Sequence, residues 1–282
     1  MSANLLALSA IALWATLAAL GVALRHVPPF LLTGLALLVG SLVALPLSNF
    51  QLSRWKVPLS TLALGIYGLF GFHFLLFLAL RHAPPVQANL VNYLWPLLMV
   101  VLAPVLLPGL RLRAVHLVAA LLGFAGAAIV ILGGADAAST SGAWGWSWGY
   151  VPALGSAFIW ASYSLFTKRV AHFPTAAIGG FALVSGLLSL FCHALLEPAV
   201  SLSARDGWLI GAMGLGPMGA AFFLWDMALK RGDARHIGIL SYLTPLASTA
   251  LLIGVSGGRF TCNIALAAAL IIGAALLGTR RN

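Results

Sequence analysis

Three groups of residues at helical spacing could hold a flat, uncharged ring system. Asn89, Tyr93 and Pro96 share one helix face at spacings of four and three, Phe70, His73 and Phe77 share another, and Trp160, Tyr163 and Ser164 cluster together. Large aromatic side chains with few fixed charges suit stacking on an aromatic or amphipathic solute. The same residue types also fill dry helix packing and membrane interfaces, so each group carries more weight than any member of it. Asp226 is the one acid inside an apolar run, and Lys230 follows it by four residues, so a helical ion pair accounts for it. His73 could carry a proton or serve as a packing hydrogen-bonder. A metal site would need His73, His116 and His193 to converge from separate runs, and none is expected. No cofactor motif is read. Intramembrane proteolysis would need a serine nucleophile motif with a histidine, paired aspartates or His-Glu-x-x-His; none is present, and the expectation is not an enzyme.

The strongest pattern is a repeated proline motif. Tyr93-Leu94-Trp95-Pro96-Leu97 returns 149 residues later as Tyr242-Leu243-Thr244-Pro245-Leu246, and Ala79-Leu80-Arg81 returns at the same offset as Ala228-Leu229-Lys230. Trp14-Ala15-Thr16 returns 146 residues later as Trp160-Ala161-Ser162. Three matches in order at nearly constant offset indicate a duplication. A shorter echo, Arg25-His26-Val27-Pro28-Pro29 and then Arg81-His82-Ala83-Pro84-Pro85, reads as a tight turn into a new helix. Proline inside a helix frees the carbonyl four residues earlier, here Asn92 and Ser241. In hydrocarbon that carbonyl needs a partner or a wet cavity. A plain packing kink would also place a proline there, but the matched pair and the adjacent Tyr93 and Tyr242 favour a cavity, so Pro96 and Pro245 are expected hinges and the two tyrosines are expected to line a site.

The elements that must position these groups follow from composition. Of 282 residues 62% are hydrophobic and 7% charged, against about 25% charged in soluble domains. At about 20 residues per span, ten spans fit, near 4–24, 29–48, 57–80, 85–107, 114–133, 148–167, 175–196, 207–229, 236–256 and 261–278. The expected fold is an all-α integral membrane protein of ten transmembrane helices: a five-helix repeat over 1–133, a periplasmic linker at 134–147, and a second repeat over 148–282. Trp144, Trp146 and Trp148 around that linker suit a membrane interface. An odd number of spans per repeat makes the halves inverted. Eleven Lys and Arg fall in loops on the N-terminal side of the membrane and four on the other, which places both termini in the cytoplasm. The net charge of +10 thus belongs to membrane-facing loops, and nucleic-acid binding is rejected. Cys192 and Cys262 sit in apolar runs with no disulfide framework, and the N-terminal run, lacking a basic start, reads as a first span. Small-residue faces at Ala119, Gly123 and Ala127, and at Ala265, Ala269 and Gly273, are expected helix contacts.

Inverted repeats let two related halves exchange inward-open and outward-open shapes around a shared midplane site, which points to a secondary transporter. With its paired Tyr-Leu-x-Pro motifs, this pattern resembles the drug/metabolite transporter superfamily, EamA type, over nearly the whole chain. Tyr93-Leu94-Trp95-Pro96 together with Trp14, His73 and Trp160 is similar to its aromatic amino acid exporter branch. The resemblance implies export of aromatic amino acids and related small amphipathic solutes from the cytoplasm across a bacterial inner membrane, through a central cavity lined by Tyr93, Trp95 and Trp160. A multidrug or other metabolite exporter is the alternative, and a channel a further one, although no filter-like motif is seen. Proton exchange and facilitated diffusion both fit, and the oligomeric state is open.

Overall fold

The computed structural model describes residues 1–133, 147–256 and 261–278. The predicted linker, except Ser147, lies outside the described residues, as do Trp144, Trp146, Arg259, Arg280 and Arg281. Along the chain run α1 (Ala3–Ala23), α2 (Pro29–Leu47), α3 (Leu59–His82), α4 (Pro85–Leu106), α5 (Ala114–Gly133), α6 (Tyr150–Phe166), α7 (Thr175–Leu196), α8 (Ala204–Arg231), α9 (Ala234–Leu240), α10 (Leu243–Ser256) and α11 (Cys262–Gly278). Seven of these, all but α6, α9, α10 and α11, are long and apolar enough to cross a membrane, and no strand occurs among the described residues.

Large apolar side chains such as Val105, Phe191 and Leu276 point outward, 74%, 62% and 64% exposed. Water would penalise such a surface, whereas lipid does not. Several polar groups turn inward and pair: Ser156 Oγ donates to Asn92 Oδ1 at 2.8 Å, and the Tyr67 and Ser162 hydroxyls bond at 2.8 Å. Hydrocarbon favours such pairs, because an unpaired polar group has no water to turn to. The protein is a multi-pass membrane protein. In its interior α6 packs between α3 and α4, α1 runs along α8, α2 along α7, and α5 along α11.

The α5–α11 contact corrects one expectation. Gly123 and Gly126 of α5 do take close neighbours, Tyr242 and Ile271. On α11, however, Ala265, Ala269 and Gly273 are exposed, and Ala267, Ile271 and Ala274 make the buried face. A helix with small apolar residues all round carries no periodic signal to say which stripe packs.

Interruptions occur where the prolines predict them, with a different geometry. The helical run of α4 stops after Asn92 and restarts at Trp95, so Pro96 sits in the first turn of the new segment rather than mid-helix. Proline is tolerated there because its missing N–H would be unpaired anyway. A turn separates α9 from α10 in the same way, and the Ser241 carbonyl accepts from the Thr244 N–H at 3.0 Å rather than standing free. A second pair of irregularities had no sequence signal. Residues Tyr67–Gly71 of α3 and Gly216–Ala220 of α8 are π-helical, 149 residues apart. Such single turns shift helix register and recur at functional positions. From the π turn onward, Phe70 pairs with Phe74 at 5.7 Å and His73 with Phe77 at 6.0 Å, both at the i,i+4 spacing of helix neighbours.

At one end of the bundle Glu197 ties three helices together. Pro28 and Pro29 offer no side-chain acceptor at the start of α2. Glu197 fills that role from the far end of α7, accepting from the Phe30 N–H at 2.9 Å and the Leu31 N–H at 3.2 Å. Arg81 Nη2 and His193 Nδ1 donate to the same carboxylate at 3.2 and 3.0 Å. We expect Glu197→Ala to lower stability by about 2 kcal/mol, the upper range for a lost helix cap. Thermal unfolding in detergent checks this, and an unchanged midpoint would remove the carboxylate from the scaffold. Beside it, Ser147 Oγ donates to the His82 carbonyl, and the Trp148 ring, half exposed, lies 4.7 Å from His82.

Candidate functional site

Trp160 stands at the centre of a buried aromatic cluster. Its ring centroid lies 5.8 Å from Trp14, 5.4 Å from Phe72, 6.4 Å from Trp95, 5.5 Å from Tyr163, 5.7 Å from Phe222 and 6.5 Å from Trp225. Trp225 also meets Trp14 at 5.1 Å and Trp95 at 5.7 Å. Five helices supply these rings: α1, α3, α4, α6 and α8. Tilted and edge-on contacts dominate, the arrangement that ring quadrupoles favour. All four tryptophans are buried, from 1% exposed at Trp225 to 9% at Trp14.

Both π segments serve this cluster. Trp14 Nε1 donates to the Pro217 carbonyl, inside the π turn of α8, at 3.1 Å. Tyr67 opens the π turn of α3 and its hydroxyl meets Ser162 of α6. In that turn Gly68 lies under the Tyr163 ring, where an added Cβ would come within 2.3 Å of Tyr163 carbon atoms. Gly68→Ala is therefore expected to displace Tyr163, at a cost of about 1–3 kcal/mol for overpacking. Gly21→Ala, whose Cβ meets nothing within 4 Å, is the neutral control. Equal melting temperatures for the two variants would show that Tyr163 yields freely.

Of the residues singled out in the sequence, Trp14, Trp95, Trp160 and Tyr163 come together in this cluster. His73 joins its edge, 5.0 Å from Phe72, with Nδ1–H donating to the Leu69 carbonyl at 2.6 Å. Asn89, one turn before the α4 break, and Tyr93, within it, lie half-buried, and none of the ring pairs among the described residues includes Tyr93. Tyr242, fully buried, stands apart with Ala127 and Ile271. Ser164 accepts from Trp225 Nε1 at 3.2 Å. Sequence reasoning passed over Phe72, Phe222 and Trp225, although Phe222 occupies the position of His73 at the 149-residue offset.

Beside Trp225, the predicted Asp226–Lys230 pair forms at 2.6 Å, and it is larger than a helix-surface pair. Thr175 Oγ1 donates to the same carboxylate oxygen at 2.6 Å, and Lys230 Nζ also donates to the Phe173 carbonyl at 2.9 Å. That ammonium sits 4.1 Å from the centroid of the Phe173 ring. Asp226 is 3% exposed, so the pair pins α8 to the start of α7 below the aromatic cluster.

The sequence profile of the EamA-like transporter family matches residues 1–132 and again 147–280. The chain belongs to the EamA-like transporter family. It is 43% identical to the aromatic amino acid exporter YddG of Ancylobacter novellus over 99% of this chain and 97% of that one. A probable amino-acid metabolite efflux pump of Salmonella typhimurium is 31% identical over 88% of this chain and 86% of its own length. A solved crystal structure matches with a TM-score of 0.88 at 40% identity, covering 98% of this chain and 97% of that chain.

Proposed function

We propose that this EamA-family protein exports aromatic amino acids from the bacterial cytoplasm across the inner membrane by alternating access, with the tryptophan cluster as the core of its substrate path. The observation that carries the reading is the convergence of Trp14, Trp95, Trp160 and Trp225 from four helices, in a chain so similar to an aromatic amino acid exporter. The rings now fill one another's faces, and a solute's aromatic ring replaces those contacts when the helices part. His73, Tyr163 and, after that opening, Asn89, Tyr93 and Tyr242 complete the path, while the interrupted helices at Pro96 and Pro245 act as hinges.

The same proposal includes ten transmembrane helices in two inverted halves, 1–133 and 148–282, with both termini in the cytoplasm. Three observations support it. Family matches occur once in each half; the π turns of α3 and α8 share the offset of the broken helices; and each π turn bonds the opposite half, Trp14 reaching Pro217 and Ser162 reaching Tyr67. Transport, rather than bond-making, is the activity, so the protein is not an enzyme in this reading. Counterflow in proteoliposomes loaded with tryptophan tests it: labelled tryptophan accumulates transiently, saturably, and is displaced by phenylalanine and tyrosine but not by lysine or glutamate. Equal displacement by every amino acid would defeat the aromatic specificity, and unsaturable flux without counterflow would favour a channel.

A further inference from the structure

A cavity of about 810 Å³ opens at the end of the bundle that carries the N-terminus. Four arginines line it, Arg111, Arg113, Arg231 and Arg235, together with His116 and His236, against a single carboxylate, Asp233. Basic loop residues are ordinary on a cytoplasmic face. Here, however, they surround a concavity of the size that holds small ligands.

Some of its polar groups are already committed. Asp233 is taken by Arg235, whose side chain donates to it at 2.5 to 3.2 Å and to the Arg111 carbonyl at 2.7 Å. Although burial works against the Asp233 carboxylate, the bonds from Arg235 outweigh it and hold its pKa below the usual range. Arg231 Nη1 reaches the Met1 carbonyl at 3.2 Å. What remains faces the cavity: the exposed Arg111 guanidinium, His236, which has the Gly278 backbone as one hydrogen-bond partner, and His116 Nδ1, which has no partner among the described residues. His116 is only 8% exposed, so its nitrogen has no water to compensate it, and a buried polar atom left unpaired is costly. The first turns of α1 and α5 also open here, through Ser2, Ala3, Asn4 and Arg113. Their N–H groups add positive potential to that of the side chains. Excess guanidinium, the unpaired imidazole nitrogen of His116 and helix N-termini all call for the same chemistry, an oxyanion with several acceptors and at least one negative charge.

We propose that this cavity is an anion site for a phosphate group, carried by a lipid headgroup or by a free phosphate. It lies apart from the tryptophan cluster and does not rest on the transport reading.

The test uses full-length protein purified in detergent. Inorganic phosphate, at ionic strength matched with chloride, raises the unfolding temperature saturably, as a ligand of the native state must. A second arm reconstitutes the protein in phosphatidylcholine vesicles with or without phosphatidylglycerol and detects retained lipid by native mass spectrometry. Arg111→Gln and His236→Gln each weaken the effect by about tenfold or more, the loss of one charge-assisted bond, whereas Arg111→Lys retains most of it. A phosphate effect abolished in the variants assigns a free phosphate; variant-sensitive retention of phosphatidylglycerol alone assigns a headgroup. The proposal is overturned if phosphate acts no differently from chloride and no lipid is retained, or if both Gln variants, folded by size-exclusion and melting criteria, bind as the wild type does.

Discussion

Trp160→Ala cuts transport by about tenfold or more while leaving the protein in the membrane. Six rings lean on this indole, and at 4% exposure its removal opens a void that the neighbours fill only in part. Truncating a buried tryptophan costs about 3–5 kcal/mol of stability. Counterflow of tryptophan, expressed per folded molecule, falls by about tenfold or more, because each lost ring pair gives up about 0.5–1.5 kcal/mol of stacking. Trp160→Phe keeps one ring and sits between the two. The outcome that separates substrate path from dry packing is the rate per folded molecule. If that rate equals the wild type while the melting temperature drops, the cluster is a core and the solute travels elsewhere.

Lys230→Met destabilises the protein more than its place near a helix end suggests. The substitution strips the buried Asp226 carboxylate of its cation, leaving Thr175 as its one remaining donor among the described residues, and it removes the ammonium from the Phe173 ring. Breaking one side of a buried pair costs about 3–5 kcal/mol, whereas replacing both members with neutral groups is often close to neutral. Asp226→Asn combined with Lys230→Met should therefore recover most of the loss. A double-mutant cycle on thermal stability measures the coupling. Additive losses, with no recovery in the double variant, would reduce the pair to two independent surface contacts.

Much of the fold was legible because a bilayer allows so few solutions. Apolar runs of span length, punctuated by Pro and by Arg or Lys, must become helices whose backbone pairs internally, and the described helices lie where those runs were placed, to within a few residues. The helix breaks were also visible, since the repeated Pro96 and Pro245 mark them, but their form was not. Nothing in Tyr93-Leu94-Trp95-Pro96 says that the chain turns before the proline rather than bending at it. The packing stripe of α11 was illegible for another reason: alanine and glycine occur on every face, so Ala265, Ala269 and Gly273 looked as suitable as Ala267, Ile271 and Ala274.

The site divides in the same way. Trp14, Trp95, Trp160 and Tyr163 could be named from type, spacing and resemblance, because a large ring within a span needs a neighbour to stack on. Trp225 could not, since its surroundings in sequence, Leu224 and Asp226, drew attention to the ion pair instead. The sequence by itself determined that the chain is a helical membrane protein rich in rings and poor in buried charge, because burial and backbone pairing act locally along each run. Which rings meet was decided only in the tertiary structure. The π turns at Tyr67–Gly71 and Gly216–Ala220 interrupt the α period of α3 and α8, and bonds to α6 and α1 across more than 90 residues of chain tie those turns in place, close to Phe72, Phe222 and Trp225, which meet Trp160.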